Sequence, residues 1–260
     1  MEQYPQTNIH PNAQIGKNVV IEPFTSISDD VIIGDNTWIG SNVVIKEGAR
    51  IGNNCKIFPG AVISCISQDL KYKGEYTTTE IGENTIIREF VTIHRGTADK
   101  LKTTIGNNTL LMAYVHIAHD CEIGNHVIIA NCSQIAGHVI VEDHVVIEGM
   151  CGVQQFVRIG QHAFITGTSS VRKNVPPYVK AAREPLAYAG INSVGLRRRG
   201  FTNDQILEIE DIYRMLYVKG FNVTNAIRAI EQEAPQSKEK EIILKFIEES
   251  KKGIIRGPLS

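Results

Sequence analysis

The chain has 260 residues, of which 42% are hydrophobic and 21% are charged, with a formal net charge of −1 at pH 7. This balance is ordinary for a globular protein and argues against a general nucleic-acid or membrane-surface binder. No apolar run approaches the roughly 20 residues of a membrane-spanning helix, and the N-terminal segment has no signal-peptide character. Five cysteines without a CxxC spacing favour a reducing compartment. We therefore expect a cytoplasmic protein.

An isoleucine recurs at every sixth residue over the first part of the chain. The series is Ile9, Ile15, Ile21, Ile27, Ile33, Ile39, Ile45, Ile51, Ile57 and Ile63. The same phase resumes over 81–93 and again, with Leu or Val at some positions, over 105–171. A period of six fits neither a helix nor a simple strand alternation. It predicts short strands joined by tight turns, stacked as a hexapeptide β-helix with three hexads, about 18 residues, in each coil.

Two interruptions predict loops that leave the β-helix. The in-phase positions 69, 75 and 99 carry acidic residues instead of aliphatic ones. We therefore predict inserted loops over 67–80 and 95–104. Long loops in a compact repeat protein are more often functional than ornamental.

The repeat ends after Val175 at a Pro-Pro-Tyr segment, and an irregular exit segment is expected there. A capping box formed by Thr202 and Gln205 precedes an amphipathic helix, and two further amphipathic segments follow. The sequence thus predicts a mainly β protein with a β-helix over 1–189 and a C-terminal helical domain over 190–260.

The stretch HIAHDC at 116–121 stands out as a candidate site. With about 18 residues per coil, His119 would lie over Gly137, with Gln155 one coil further on, and Asp120 would lie over His138. A column of polar side chains beside a glycine is therefore expected on one edge. Three cysteines occupy the small-residue position of the hexad and are interpreted as packing residues: Cys55, Cys121 and Cys151.

A metal site is the alternative reading of the two histidines in this stretch. Zinc requires three or four converging ligands, so His116 and His119 would need a third ligand such as His94 or His138. No matching ligand spacing is evident in the sequence. We therefore predict no metal and no other cofactor.

Several motifs, in order along the chain, resemble the UDP-N-acetylglucosamine O-acyltransferase family of lipid A biosynthesis. They are QDLKY (68–72), TIHRGT (92–97), HIAHDC (116–121), AGH (136–138), NVPPYV (174–179) and GLRRRGF (195–201). The resemblance implies a left-handed β-helix and a homotrimer with active sites between neighbouring subunits. It also implies transfer of a 3-hydroxyacyl chain from acyl carrier protein to the 3-hydroxyl of UDP-N-acetylglucosamine.

The same resemblance implies roles for individual residues. His119 matches the general base, Asp120 the carboxylate that orients it, and Gly137 the backbone donor to the oxyanion. The residues that match substrate-binding positions are Asp69, Lys71, His94, His116, His138, Gln155, Asn192, Arg198 and Arg199, and Gly167 matches the position that limits acyl-chain length. Basic residues near the end of the repeat also suit an acidic carrier protein.

The chain departs from the family pattern at two positions. Gln154 stands where the family commonly has histidine, and Val194 stands where an acidic residue is common. Three other functions remain as alternatives. They are the related N-acyltransferase, which carries an extra N-terminal domain for which the early start of the hexads leaves no room, a metal-dependent carbonic anhydrase, and a non-catalytic scaffold.

Overall fold

The protein folds as a left-handed parallel β-helix followed by four helices. The repeat predicted the β-helix, the resemblance implied its hand, and three of the four helices were predicted. A computed structural model describes residues 4–258. Within that range the strands form three parallel-stranded sheets of nine, eight and ten strands, which are the faces of a triangular prism. We call them faces A, B and C in the order in which each coil visits them. The ten-stranded sheet ends in a single antiparallel pair.

Most strands are only two residues long. Face A contains Asn8–Ile9, Ser26–Ile27, Val44–Ile45, Val62–Cys65, Thr92–His94, His116–Ile117, Gln134–Ile135, Gly152–Val153 and Ser170–Val171. Face B contains Gln14–Ile15, Ile32–Ile33, Ala49–Ile51, Thr78–Ile81, Lys102–Ile105, Glu122–Ile123, Ile140–Val141 and Arg158–Ile159. Face C contains Val20–Ile21, Trp38–Ile39, Lys56–Ile57, Ile86–Ile87, Leu110–Leu111, Ile128–Ile129, Val146–Ile147, Phe164–Ile165, Val179–Ala182 and Ala187–Ile191.

The interior of the prism is a set of aliphatic columns. The second residue of a typical two-residue strand points inward, as Ile117 and Ile135 do with no exposed surface. Each such side chain stabilises the fold by roughly 1.5–3 kcal/mol through removal of apolar surface from water. The small-residue position is also buried, and the predicted packing role of Cys55, Cys121 and Cys151 agrees with their exposure of 1% or less.

Both predicted loops leave the prism at the edge between faces A and B. Each is shorter than the sequence predicted, because Thr78–Ile81 and Lys102–Ile105 are strands of face B. The predicted boundaries were therefore wrong for residues 78–80 and 102–104. Thr79 and Thr103 occupy the inward small-residue position there, fully buried. The acidic residues at positions 75 and 99 are the reason that the predicted loops were too long.

The chain leaves the repeat through a hairpin and then becomes helical. The exit segment was predicted as irregular, but Val179–Ala182 pairs with both Phe164–Ile165 and Ala187–Ile191. Four helices follow: α1 Ser193–Arg198, α2 Asn203–Tyr217, α3 Val223–Glu233 and α4 Lys238–Glu249. The predicted capping box of Thr202 and Gln205 is confirmed at the start of α2. None of the helices within residues 4–258 combines the length and apolarity that a bilayer crossing requires.

Candidate active site

A groove of about 690 Å³ runs along face A and its edge with face B. Its walls come from successive coils, and the first inserted loop contributes Gln68 and Asp69. The regular register of His116, Gln134 and Gly152 on neighbouring strands forms its floor. The edge residues His119, Gly137 and Gln155 line the same groove, together with Gln154 and Arg172. The column that the six-residue period predicted is therefore present.

His119 and Asp120 form a hydrogen-bonded pair at this edge. The Nδ1 atom of His119 lies 2.8 Å from Oδ2 of Asp120. A carboxylate accepts only, so Nδ1 carries the proton and Nε2 keeps its lone pair. His119 is 8% exposed and Asp120 has no exposed surface. This arrangement suits an imidazole that acts as a general base.

Gly137 lies directly against the imidazole of His119. A Cβ atom placed on Gly137 would approach Nε2 and Cε1 of His119 to 2.6 Å, closer than real Cβ contacts. The coils are also joined at this point, because the N–H of His138 donates to the carbonyl of His119 at 3.1 Å. Glycine is required here by the close approach of the ring and not by its backbone angles.

The carboxylate of Asp120 is held by the second inserted loop. Thr97 donates its backbone N–H to Oδ1 at 2.9 Å and its hydroxyl to Oδ2 at 2.6 Å. Burial acts to raise the pKa of Asp120, but the hydrogen bonds from Thr97 and His119 outweigh it and leave the pKa below its usual value. Asp120 therefore stays ionised. No role was predicted for Thr97 from the sequence, although this residue ends the TIHRGT motif.

His138 lies between two carboxylates. Its Nε2 is 3.6 Å from Oδ2 of Asp120 and its Nδ1 is 3.3 Å from Oδ2 of Asp99. Burial lowers the pKa of His138, and the charge on Asp120 opposes that shift. Its ring also stacks on Phe156 with centroids 4.6 Å apart.

The metal alternative can be compared with this geometry. Among residues 4–258, His119, Asp120 and His138 each place a ligand atom within 4.8 Å of the others. This trio differs from the pairing of His116 with His119 that the zinc hypothesis required. The Oδ2 atom of Asp120 already accepts hydrogen bonds from His119 and Thr97. A cation would have to displace both, so the donor set is better suited to orienting an imidazole.

The first inserted loop brings one of its two predicted residues to the site. Oδ2 of Asp69 lies 3.9 Å from Nε2 of His119. Lys71 is exposed and donates its backbone N–H to Oδ1 of Asp69 at 2.9 Å. Within residues 4–258, the side chain of Lys71 is not among those that line the groove.

His94 and His116 form a second histidine pair beside the dyad. Their ring centroids are 4.9 Å apart, edge to face, and Nδ1 of His116 lies 2.7 Å from the hydroxyl of Thr92. Burial, followed by the proximity of His116 and His119, lowers the pKa of His94 to about 4. Burial also lowers the pKa of His116. Both rings are therefore neutral near pH 7.

Two further predicted residues lie on later coils, at different edges of the prism. Gln155 lines the groove, and its carbonyl accepts a hydrogen bond from Nζ of Lys252 at 2.6 Å. Gly167 lies at the edge between faces C and A, where its N–H donates to Oε2 of Glu148 at 2.8 Å. A Cβ at Gly167 would approach the carbonyl oxygen of Gly149 to 3.3 Å, so little room exists there for a larger residue.

The three remaining predicted residues line a separate pocket of about 640 Å³ on face C. Asn192 caps α1 by accepting from the N–H of Gly195, and its amide donates to the carbonyl of His162 at 2.9 Å. Arg198 is exposed. Burial lowers the pKa of Arg199, whose Nη1 is buried without a hydrogen-bond partner. Within one chain these residues do not join the groove on face A.

Comparisons with known proteins agree with the motifs. The family model for domain 2 of UDP-N-acetylglucosamine O-acyltransferase matches residues 174–255, and the model for bacterial transferase hexapeptide repeats matches 30–65 and 102–137. The chain is 53% identical over 255 residues to the acyl-[acyl-carrier-protein]–UDP-N-acetylglucosamine O-acyltransferase of Sulfurihydrogenibium sp., covering 98% of this chain and 94% of that protein.

A second relative with the same name, from Chlorobaculum parvum, is 54% identical over 244 residues. The match covers 94% of this chain and 92% of that protein. The crystal structure of a UDP-N-acetylglucosamine acyltransferase from Bacteroides fragilis superposes with a TM-score of 0.96 at 51% identity, covering 97% of this chain and 99% of that one. The chain therefore belongs to the UDP-N-acetylglucosamine O-acyltransferase family.

Proposed function

We propose that this protein transfers a 3-hydroxyacyl chain from acyl carrier protein to the 3-hydroxyl of UDP-N-acetylglucosamine, the opening step of lipid A biosynthesis. The observation that carries the proposal is the His119–Asp120 pair beside Gly137 in one groove. The relatives' names supply the two substrates. A sugar hydroxyl is a poor nucleophile until a base removes its proton, and this pair supplies that base.

The reaction follows from the positions of these three residues. Nε2 of His119 takes the proton of the sugar hydroxyl as its oxygen attacks the thioester carbonyl. The negative charge that develops on the carbonyl oxygen is stabilised by the backbone N–H of Gly137. As the C–S bond breaks, the protonated imidazole returns the proton to the leaving thiolate. Asp120 keeps its charge throughout and stabilises the imidazolium, as a carboxylate does in hydrolase triads. No metal or redox cofactor takes part in this scheme.

The proposed substrate-binding residues divide between the groove and the pocket on face C. In the groove, Asp69 is within reach of a sugar hydroxyl that approaches His119. The neutral ring of His116 and the side chain of Gln155 line the groove. His94 packs against His116 and His138 packs against His119, so both border the path that we propose for the reacting groups. Lys71 and Gly167 keep their proposed roles at the sugar nucleotide and at the end of the acyl chain.

The pocket on face C supplies the groups for the nucleotide. The guanidinium groups of Arg198 and Arg199 suit diphosphate oxygens. Asn192 caps the N-terminus of α1, the helix that ends at Arg198. We propose a cytoplasmic homotrimer in which face C of one subunit faces the groove of its neighbour. Each complete site would then contain His119 from one subunit and Arg199 from the next, with acyl carrier protein docking at the basic end of the groove.

Mass spectrometry of the reaction product tests this function. The purified protein is incubated with UDP-N-acetylglucosamine and a panel of 3-hydroxyacyl and unsubstituted acyl carrier protein thioesters. We expect one O-acylated sugar nucleotide, formed with the 3-hydroxyacyl donors. Absence of an acylated nucleotide with every donor would contradict the proposal. Metal analysis of the same sample separates the carbonic anhydrase alternative, since stoichiometric zinc with carbon dioxide hydration would support that function instead.

A further inference from the structure

The second inserted loop, residues 95–101, closes over the carboxylate of the catalytic pair. We propose that Thr97 is a positioning residue of the acyl transfer, which fixes Asp120 and through it the proton and orientation of His119. This inference rests on the proposed function. It assigns to the loop a task that neither the repeat pattern nor the motif matches identify.

The backbone at this corner differs from the coils that follow it. In those coils the corner residue donates its N–H to a carbonyl of the preceding coil, as His138 does to His119 and Phe156 does to Gly137. At Asp120 the inserted loop replaces that coil, and the N–H of Asp120 donates to the hydroxyl of Thr103 at 2.9 Å. The insertion therefore exchanges a backbone contact for side-chain contacts at the one corner that carries the catalytic carboxylate.

Thr97 donates hydrogen bonds to both oxygens of that carboxylate. Its N–H reaches Oδ1 at 2.9 Å and its hydroxyl reaches Oδ2 at 2.6 Å, and Thr97 itself is 7% exposed. Oδ2 is the same oxygen that accepts Nδ1–H of His119. Two donors from one residue prevent rotation of the carboxylate, because rotation would break two buried charge-assisted hydrogen bonds. The imidazole is thus held in the tautomer that leaves Nε2 free.

Thr97 is fixed in turn by its own loop. Its carbonyl accepts from the N–H of Leu101 at 2.8 Å, and its hydroxyl oxygen lies 3.4 Å from the N–H of Asp99. The backbone N–H of Lys100 adds a weaker contact to Oδ1 of Asp120 at 3.3 Å. The loop therefore presents a preorganised set of donors, and only the hydroxyl of Thr97 reaches the oxygen shared with His119.

The test is a pair of substitutions, Thr97→Val and Thr97→Ser, measured in the full-length protein. Valine keeps the shape but removes the hydroxyl donor, and serine restores it. We expect Thr97→Val to lower kcat roughly ten- to hundredfold with KM within about twofold of wild type. Without the hydroxyl of Thr97, the negative charge of Asp120 interacts more strongly with the protonated imidazole of His119. The acid limb of the kcat/KM profile therefore moves to higher pH. Thr97→Ser should recover most of the rate.

A matched control and a second readout keep a folding defect apart from a positioning defect. Thr109 is buried at another corner and does not line the groove; its hydroxyl donates to the carbonyl of Gly124 and accepts from the N–H of Val127. Thr109→Val should lower the thermal midpoint without moving the pH profile. The downfield proton resonance of His119 Nδ1–H, assigned by its loss in His119→Gln, reports the contact without any substrate. It should persist in Thr97→Ser and shift in Thr97→Val.

The inference is overturned if Thr97→Val retains the wild-type kcat, pH profile and Nδ1–H resonance. It is also overturned if Thr97→Ser is as impaired as Thr97→Val, since restoring the hydroxyl donor would then restore nothing. A wild-type protein that forms no acylated nucleotide would refute the proposed function alone. The resonance would still decide whether Thr97 positions the pair.

Discussion

At the residue scale, the site depends on corner residues that adopt the left-handed backbone region. Asp120 has a φ of 60° and His138 a φ of 59°. Asp, Asn and His tolerate this region better than most residues. The same angle recurs at Phe156 one coil further on, so equivalent side chains stack in columns. His119, Gly137 and Gln155 are adjacent for that reason, and a period of six with three hexads per coil is sufficient to predict it.

A second column of corner histidines makes stability depend on pH. His126, His144 and His162 stack nearly parallel with centroids 4.8 and 4.7 Å apart. Burial, with smaller contributions from His144 and Arg199, lowers the pKa of His162 to about 4. The unfolded chain binds this proton near pH 6.5 while the folded protein does not. Stability is therefore complete above pH 6.5, falls as the pH drops toward 4, and levels off below.

The prediction is tested with His162→Phe, which keeps an aromatic ring in the stack. The titration of His162 costs up to about 3 kcal/mol across this window. We expect the thermal midpoint of the wild type to fall more steeply between pH 7 and pH 4.5 than that of the variant. Some slope should remain, because His94 is lowered in the same way. Parallel curves for the two proteins would contradict the assignment.

At the scale of elements, the repeat was predictable and the loops were only partly so. Each hexad buries one aliphatic side chain, and the regular spacing of these residues can be recognised in the sequence. The contacts of the inserted loops join residues such as Thr97 and Asp120, 23 positions apart with no repeat to relate them. The placement of Asn192, Arg198 and Arg199 on another face was equally hidden, since it depends on how the exit hairpin turns. The predicted division at residue 189 stays a prediction, and the strand Ala187–Ile191 crosses it.

The two loops are tied to each other, which leads to a prediction about Asp69. Glu75 accepts the N–H of Ala98 through Oε1 at 2.9 Å and the N–H of Lys73 through Oε2 at 2.8 Å. We expect Glu75→Ala to release the first loop and lower kcat/KM about tenfold, because Asp69 would no longer be held beside His119. Steady-state kinetics measure this effect.

Glu83→Ala serves as the matched control for that loop variant. Glu83 accepts a hydrogen bond from Asn53 at 2.8 Å on a different edge, so its removal should leave kcat/KM within about twofold of wild type. Equal kinetic effects from the two variants would argue against a specific tie between the loops.

At the scale of the whole molecule, one chain presents two separate pockets. The groove on face A contains the catalytic pair, and the pocket on face C contains the arginines. A trimer that joins these faces predicts complementation between two damaged subunits. After refolding equal amounts of His119→Ala and Arg199→Ala chains together, about a quarter of the sites would have both residues intact. We expect activity to return toward that fraction. Continued inactivity of the mixture would contradict a shared site.

Turnover by His119→Ala tests the central claim most directly. Wild type and variant are compared in acyl transfer from a 3-hydroxyacyl carrier protein to UDP-N-acetylglucosamine, with assembly checked by size-exclusion chromatography with light scattering. We predict that kcat falls by at least about a hundredfold, as expected for loss of a general base, with a trimer of wild-type size and an unchanged thermal midpoint. Near-wild-type turnover by a correctly assembled His119→Ala trimer would contradict the assignment of the base.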